Sequence, residues 1–187
     1  MMGPTEMSCA LRKEGRGMFR SILVVCLFMV GGWAHAESRD VHKFFFDQKL
    51  GDFKSDLATA KQEGKQGILL MFEQEDCPWC FRMKTTILNQ SEVQDYFKKH
   101  FLIFPVDMKG DVSLTDFQGR ETTEKKFSEG HRVRATPVFA FFDLDGKLIF
   151  RFTGVAKDVN EFQLIGRYIV DGAYKTQTFP VYKQGAK

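Results

Sequence analysis

The sequence predicts an α/β domain with a central mixed sheet flanked by helices, closing in a C-terminal β-hairpin plus helix. Three observations carry that prediction. Apolar runs of strand length alternate with segments of helical period from about residue 52 onward. Cys77-Pro78-Trp79-Cys80 lies between one such run, Gly67–Phe72, and a helix-period stretch, Phe81–Leu88. Thr136-Pro137 opens two further strand-like stretches that are joined by Asp143-Leu144-Asp145-Gly146, a hairpin signature.

Residues 1–36 read as a signal peptide. Arg12, Lys13, Arg16 and Arg20 form a positive region, Ser21–Val30 an apolar core, and Ala34-His35-Ala36 a small-x-small cleavage pattern before Glu37. Met18 is an alternative start. The apolar core is about half the roughly 20 residues that a permanent membrane span needs. Removing 36 residues from 187 leaves a mature chain of 151, which suits one domain. Four of the 27 basic and two of the 24 acidic residues leave with the leader, so the mature chain carries 23 against 22, net +1. No basic stripe suggests nucleic acid. Cys9 and Cys26 also leave, so Cys77 and Cys80 are the only thiols of an exported chain. A pair two residues apart closes too small a loop to serve as a useful staple, which points to redox or metal chemistry.

Residues 37–51 read as a lead-in segment, with Phe44-Phe45-Phe46 packing on the domain surface. The domain proper spans 52–175. Gly51–Gly64 has Phe53, Leu57 and Ala60 on one helical face. Ile68–Phe72 is a buried strand, and Pro78 suits the first turn of the Pro78–Leu88 helix. Ser91-Glu92-Val93-Gln94 has the form of a capping box for a helix to about His100. Phe101–Asp107 is a strand whose Pro105 argues for a strand end or a sheet edge. Met108–Thr123 reads as a long polar connection, followed by a helix from about Thr123 to Glu129. Val138–Phe142 and Lys147–Thr153 form the hairpin, and Asp158 caps a last helix through Val170. Residues 176–187 read as a C-terminal tail.

The cysteine spacing and position dictate a chemistry. Thiol–disulfide exchange needs a thiolate to attack and a second thiol to resolve the mixed disulfide. Cys77, at the exposed helix N-terminus, is the expected nucleophile, since the unpaired N–H groups and the positive dipole end favour its thiolate. Cys80, one turn inside, is the expected resolving thiol and the more buried of the two. Glu75 and Asp76 oppose ionisation of Cys77, but exposed charges contribute only about 0.2–1 kcal/mol. Trp79 brings no positive charge between the cysteines, so the pair should be less oxidising than the strongest periplasmic oxidants at about −120 mV. That favours a reductant kept reduced by a membrane donor. Trp79 itself is expected on the partner-facing surface. No cofactor beyond the cysteine pair is required.

A cysteine pair of this spacing beside strand–helix–strand alternation, with Thr136-Pro137 before the hairpin, resembles the thioredoxin superfamily. The resemblance implies a thioredoxin-like fold, a cis peptide bond at Pro137, and a position for Pro137 against the disulfide. A closer resemblance, over about residues 52–175, is to SoxW-like periplasmic thioredoxin-related proteins. It is carried by Cys77-Pro78-Trp79-Cys80, Thr115-Asp116-Phe117-Gln118-Gly119, Val133-Arg134-Ala135-Thr136-Pro137 and Tyr168-Ile169-Val170-Asp171-Gly172-Ala173-Tyr174. It implies clients among sulfur-oxidation or cytochrome-maturation thiols. Two positions depart from the superfamily pattern. Asp76 stands where thioredoxins carry Trp, and Met71 where they carry a buried Asp, so the acid that helps to deprotonate the second cysteine is missing or is supplied by Glu73 or Glu75.

Other chemistries are weighed on the same residues. Phe81 occupies the position that a c-type haem site needs for His. Residues 37–51 are too short for the dimerisation module of a disulfide isomerase, so a monomer is expected. Cu(I) handling is the rival reading, with Cys77 and Cys80 joined by Met83 or His131. Against it, Met83 is expected as core packing and His131 as a solvated helix end. His42 and His100 belong to no visible constellation.

Overall fold

β1, Gly67–Glu73, is the strand around which the others assemble. In the computed structural model, which describes residues 37–186, its side chains from Gly67 to Phe72 are all buried. The predicted leader and its cleavage site lie outside the described residues. β1 pairs in parallel with β2, Phe101–Asp107, and antiparallel with β5, Val138–Phe142; β5 in turn pairs antiparallel with β6, Leu148–Thr153. The order β2-β1-β5-β6 makes a mixed sheet in which β2 is an edge, the place where Pro105 costs least.

Because β1 is covered on both sides, its sequence is a continuous apolar run rather than an alternating one. Leu69 and Met71 enter one core cluster, and Ile68, Leu70 and Phe72 the other. The first cluster is closed by α1 (Val41–Phe44), α3 (Pro78–Thr86), α4 (Ser91–His100) and α6 (Val159–Val170). The second is closed by α2 (Phe53–Gln62) and α5 (Glu124–Gly130). Asp52, Thr123 and Asp158 cap α2, α5 and α6, each side chain accepting a backbone N–H of the first turn.

Four expectations are corrected. Phe45 and Phe46 do not sit on the surface: they are buried in the first cluster, and only Phe44 stays exposed. The lead-in segment is pinned there because the Asp47 carboxylate accepts from Ile103 N–H (2.8 Å) and pairs with Lys98 (2.7 Å). The capping box at Ser91 does not form. α4 is capped at Gln90 without a side-chain bond, because Ser91 N–H instead donates to Glu37 C=O at 2.9 Å. Gln94, 1% exposed, turns its amide to the Leu88 carbonyl. The Met108–Thr123 connection contains a two-stranded ribbon, β3 (Ser113–Thr115) and β4 (Glu121–Thr123). Its turn is held by Asp116, whose carboxylate accepts from Gln118 N–H, Arg120 N–H and Arg120 Nε. Although burial opposes it, these bonds hold the Asp116 carboxyl below its ordinary value. Finally, the predicted tail contains α7, Phe179–Gly185, whose Phe179 and Tyr182 pack on the first cluster.

Asp56, on α2, is buried with one carboxylate oxygen unpartnered. Its carboxyl is pushed up to about 6, first by burial and then by repulsion from Asp52 and Asp47. The folded protein therefore holds this proton more tightly than the unfolded chain, and stability falls as pH rises from about 4 through 6. Asp56→Asn is expected to raise stability by about 1–2 kcal/mol near neutral pH and by almost nothing near pH 4. Thermal melts at the two pH values check this; equal gains at both would contradict it.

Candidate active site

The chain leaves β1 at Glu73, turns through residues 74–76, and enters α3 with Cys77 as its N-cap (φ −110°, ψ 98°) and Pro78 in the first turn. Pro78 has no N–H to leave unpaired there. Cys77 and Cys80 are joined as a disulfide with their Cα atoms 5.2 Å apart. Cys77 Sγ accepts from Cys80 N–H at 3.0 Å, the bond an N-cap side chain makes. It accepts again from Thr136 Oγ1–H at 3.2 Å. Among the described residues no hydrogen bond reaches Cys80 Sγ. In the reduced state the two donors would stabilise a thiolate on Cys77 and not on Cys80.

The sheet register explains how Thr136, far away in sequence, comes to the cysteines. Phe72 pairs with Val138, so the two residues before β5 lie beside the end of β1 where the cysteine turn departs. The Thr136–Pro137 peptide bond is cis, and Pro137 C=O accepts from Gly154 N–H at 2.9 Å, which ties this turn to the end of β6.

Both cysteines are buried as residues, Cys77 at 7% and Cys80 at 3% exposure. Cys77 is thus less open than its position at a helix end suggests. Trp79, 56% exposed, and Phe81, 69% exposed, stand out from α3 on either side of Cys80, with the Arg82 guanidinium 5.9 Å from the centre of the Trp79 ring.

Met71, in the same core cluster as the two cysteines, is fully buried and apolar. Of the two acids considered as substitutes, Glu75 is exposed, whereas Glu73 is largely buried and pairs with Lys84 of α3 at 2.6 Å. Glu73, Glu75 and both cysteines line one cavity of about 430 Å³, together with His42, Lys84 and Asp107. His42, Lys84 and Asp107 had no local signal in the sequence. His42 enters on the lead-in segment, and Asp107 is the register partner of Glu73 on the neighbouring strand.

Of the residues weighed for copper, His131 is not brought to the cysteines. Met83 is buried in the same cluster as the cysteines. His131 caps the end of α5 on the opposite face of the sheet and is partly buried: its ring is 4.5 Å from that of Phe127 and 5.2 Å from that of Phe142. Burial first, and Arg151 second, lower its pKa. Among the described residues no group of three His, Cys, Asp or Glu side chains is placed to hold a metal.

The sequence profile of the thioredoxin-like domain family matches residues 53–169. Among solved structures, the chain is similar to a thioredoxin-fold protein from Helicobacter pylori, with TM-score 0.53 and 24% identity over 64% of this chain and 83% of that one. It is also similar to a putative disulphide-isomerase from Bacteroides thetaiotaomicron, with TM-score 0.53 and 20% identity over 73% of this chain and 97% of that one. A third likeness is to a thioredoxin from Thermus thermophilus, with TM-score 0.50 and 24% identity over 64% of this chain and 84% of that one. These likenesses bear on the fold. No curated protein matches the chain.

Proposed function

The chain belongs to the thioredoxin-like domain family, and from that premise we propose that it is an exported thiol–disulfide oxidoreductase that reduces disulfides of extracytoplasmic client proteins. The observation that carries the reading is the asymmetry of the two sulfurs: Cys77 Sγ receives two donors at a helix N-cap, and Cys80 Sγ receives none among the described residues. In the reduced protein the Cys77 thiolate attacks one sulfur of a client disulfide. A Cys77–client bond forms, the client S–S bond breaks, and the second client sulfur leaves as a thiolate that takes up a proton. Cys80, losing its proton, then attacks Cys77 Sγ; the Cys77–Cys80 bond forms and the client's first thiol is released. The client gains two electrons and two protons, and the protein is left in the disulfide state described above. A dithiol donor, read as membrane-borne, returns it to the reduced state by the reverse exchange.

Export is supported by the leader pattern of residues 1–36. No described helix is long and apolar enough to cross a membrane. The protein acts as a monomer in this reading, and native mass measurement checks it, since an obligate dimer would favour an isomerase. The direct test is insulin reduction by dithiothreitol, set beside Cu(I) titration of the reduced protein. Precipitation of insulin well ahead of dithiothreitol alone, without tight copper binding, is expected. Tight Cu(I) binding without acceleration would replace this reading with copper handling.

A further inference from the structure

The cavity at the disulfide continues into a second one of about 500 Å³, which shares His42, Phe81 and Lys84 as walls and runs between α3 and the lead-in segment. Together they form a trough that starts at the two cysteines and continues along the α3 face that carries Phe81, Lys84 and Thr85. An exposed aromatic of that size beside a reactive disulfide provides apolar contact area for a bound chain.

The charges of the trough are unbalanced at its sulfur end. Lys84 is the lysine of that wall, and it is already paired with Glu73 at 2.6 Å. Glu75 and Asp107 line the same cavity, and Asp76 stands exposed beside Cys77. Among the described residues no ion pair involves Glu75, Asp76 or Asp107. Asp107 and Glu73 lie within electrostatic reach of Lys49, so the carboxylates that a chain lying there meets without a paired cation among the described residues are Glu75 and Asp76.

Resting on the oxidoreductase reading, we propose that this trough selects its clients: it takes an extended client segment in which a Lys or Arg lies within a few residues of the reacting cysteine. The client sulfur meets Cys77, the basic side chain meets Glu75 and Asp76 beside it, and the chain continuing along the trough lies against Phe81. Electrostatic selection of this kind acts chiefly on the association rate and weakens with salt.

The test uses the reduced protein and three peptides, each carrying one cysteine as a mixed disulfide with a chromogenic thiol and flanked by Lys, Ala or Glu. The Lys-flanked peptide is expected to be reduced with a kcat/KM about fivefold or more above that of the Glu-flanked one at low salt, falling to near parity at about 0.5 M salt. The double substitution Glu75→Gln and Asp76→Asn is expected to bring the three rates together. Glu92→Gln, an exposed acid on α4, is expected to keep the preference. Equal rates for the three peptides with the unmodified protein, or a preference that survives the double substitution, would overturn the proposal. Reduction of none of them would instead overturn the oxidoreductase reading on which it rests.

Discussion

Cys80→Ser is expected to leave client proteins attached to Cys77 as mixed disulfides, while Cys77→Ser traps almost nothing and retains below about one-thousandth of the disulfide-reducing activity. The expectation follows from the hydrogen bonds. The Cys80 N–H and the Thr136 hydroxyl both point at Cys77 Sγ, so that sulfur is the one held ready as an anion. Without Cys77 no attack begins. Without Cys80 the attack succeeds and cannot be resolved, because residues 37–187 hold no cysteine besides these two. Non-reducing gels of extracts exposed to each variant, with mass mapping of the linked cysteine, measure it. Equal trapping by the two variants would reverse the roles assigned here.

Phe97→Ala is expected to cost about 3–5 kcal/mol, the largest single-site loss of stability anticipated. Phe97 is fully buried on α4, with its ring 4.6 Å from Phe162 of α6 and 6.2 Å from Phe45 of the lead-in segment. Phe101 and Phe141, of β2 and β5, lie at 6.4 Å. One truncation therefore opens a void between two helices, the sheet and the lead-in segment, and rings locked on several sides relax little into it. Against a total stability of about 5–15 kcal/mol, the variant should unfold at a denaturant midpoint lowered by about a fifth or more. A loss below about 1 kcal/mol in urea melts would mean that the lead-in segment does not pack as described.

What the sequence revealed and what it concealed divide along a physical line. The strand at Ile68–Phe72 was legible because burial on both faces leaves an unbroken apolar run. The cysteine junction and the Thr136-Pro137 turn were legible because their chemistry is local: an N-cap, a proline in a first turn, a turn before a hairpin. The cap of α4 was misread because Ser91 offered a side-chain solution while the backbone of Glu37, more than fifty residues earlier, supplied another. Burial of Phe45 and Phe46 depends on Asp47 reaching β2, and no periodicity in a short segment reports such a contact. The trough was hidden for the same reason. His42, Glu73, Lys84 and Asp107 come from four separate elements and share a wall only after folding.

The account depends on one sulfur being both reactive and reachable. Alkylating the fully reduced protein with iodoacetamide over a range of pH, and mapping the adduct by mass, addresses that directly. The account predicts that Cys77 is modified about tenfold or more faster than Cys80, with a half-maximal rate below the pH of about 8.5 typical of free cysteine. Modification of Cys80 first, or of both at the rate of an ordinary thiol, would contradict it.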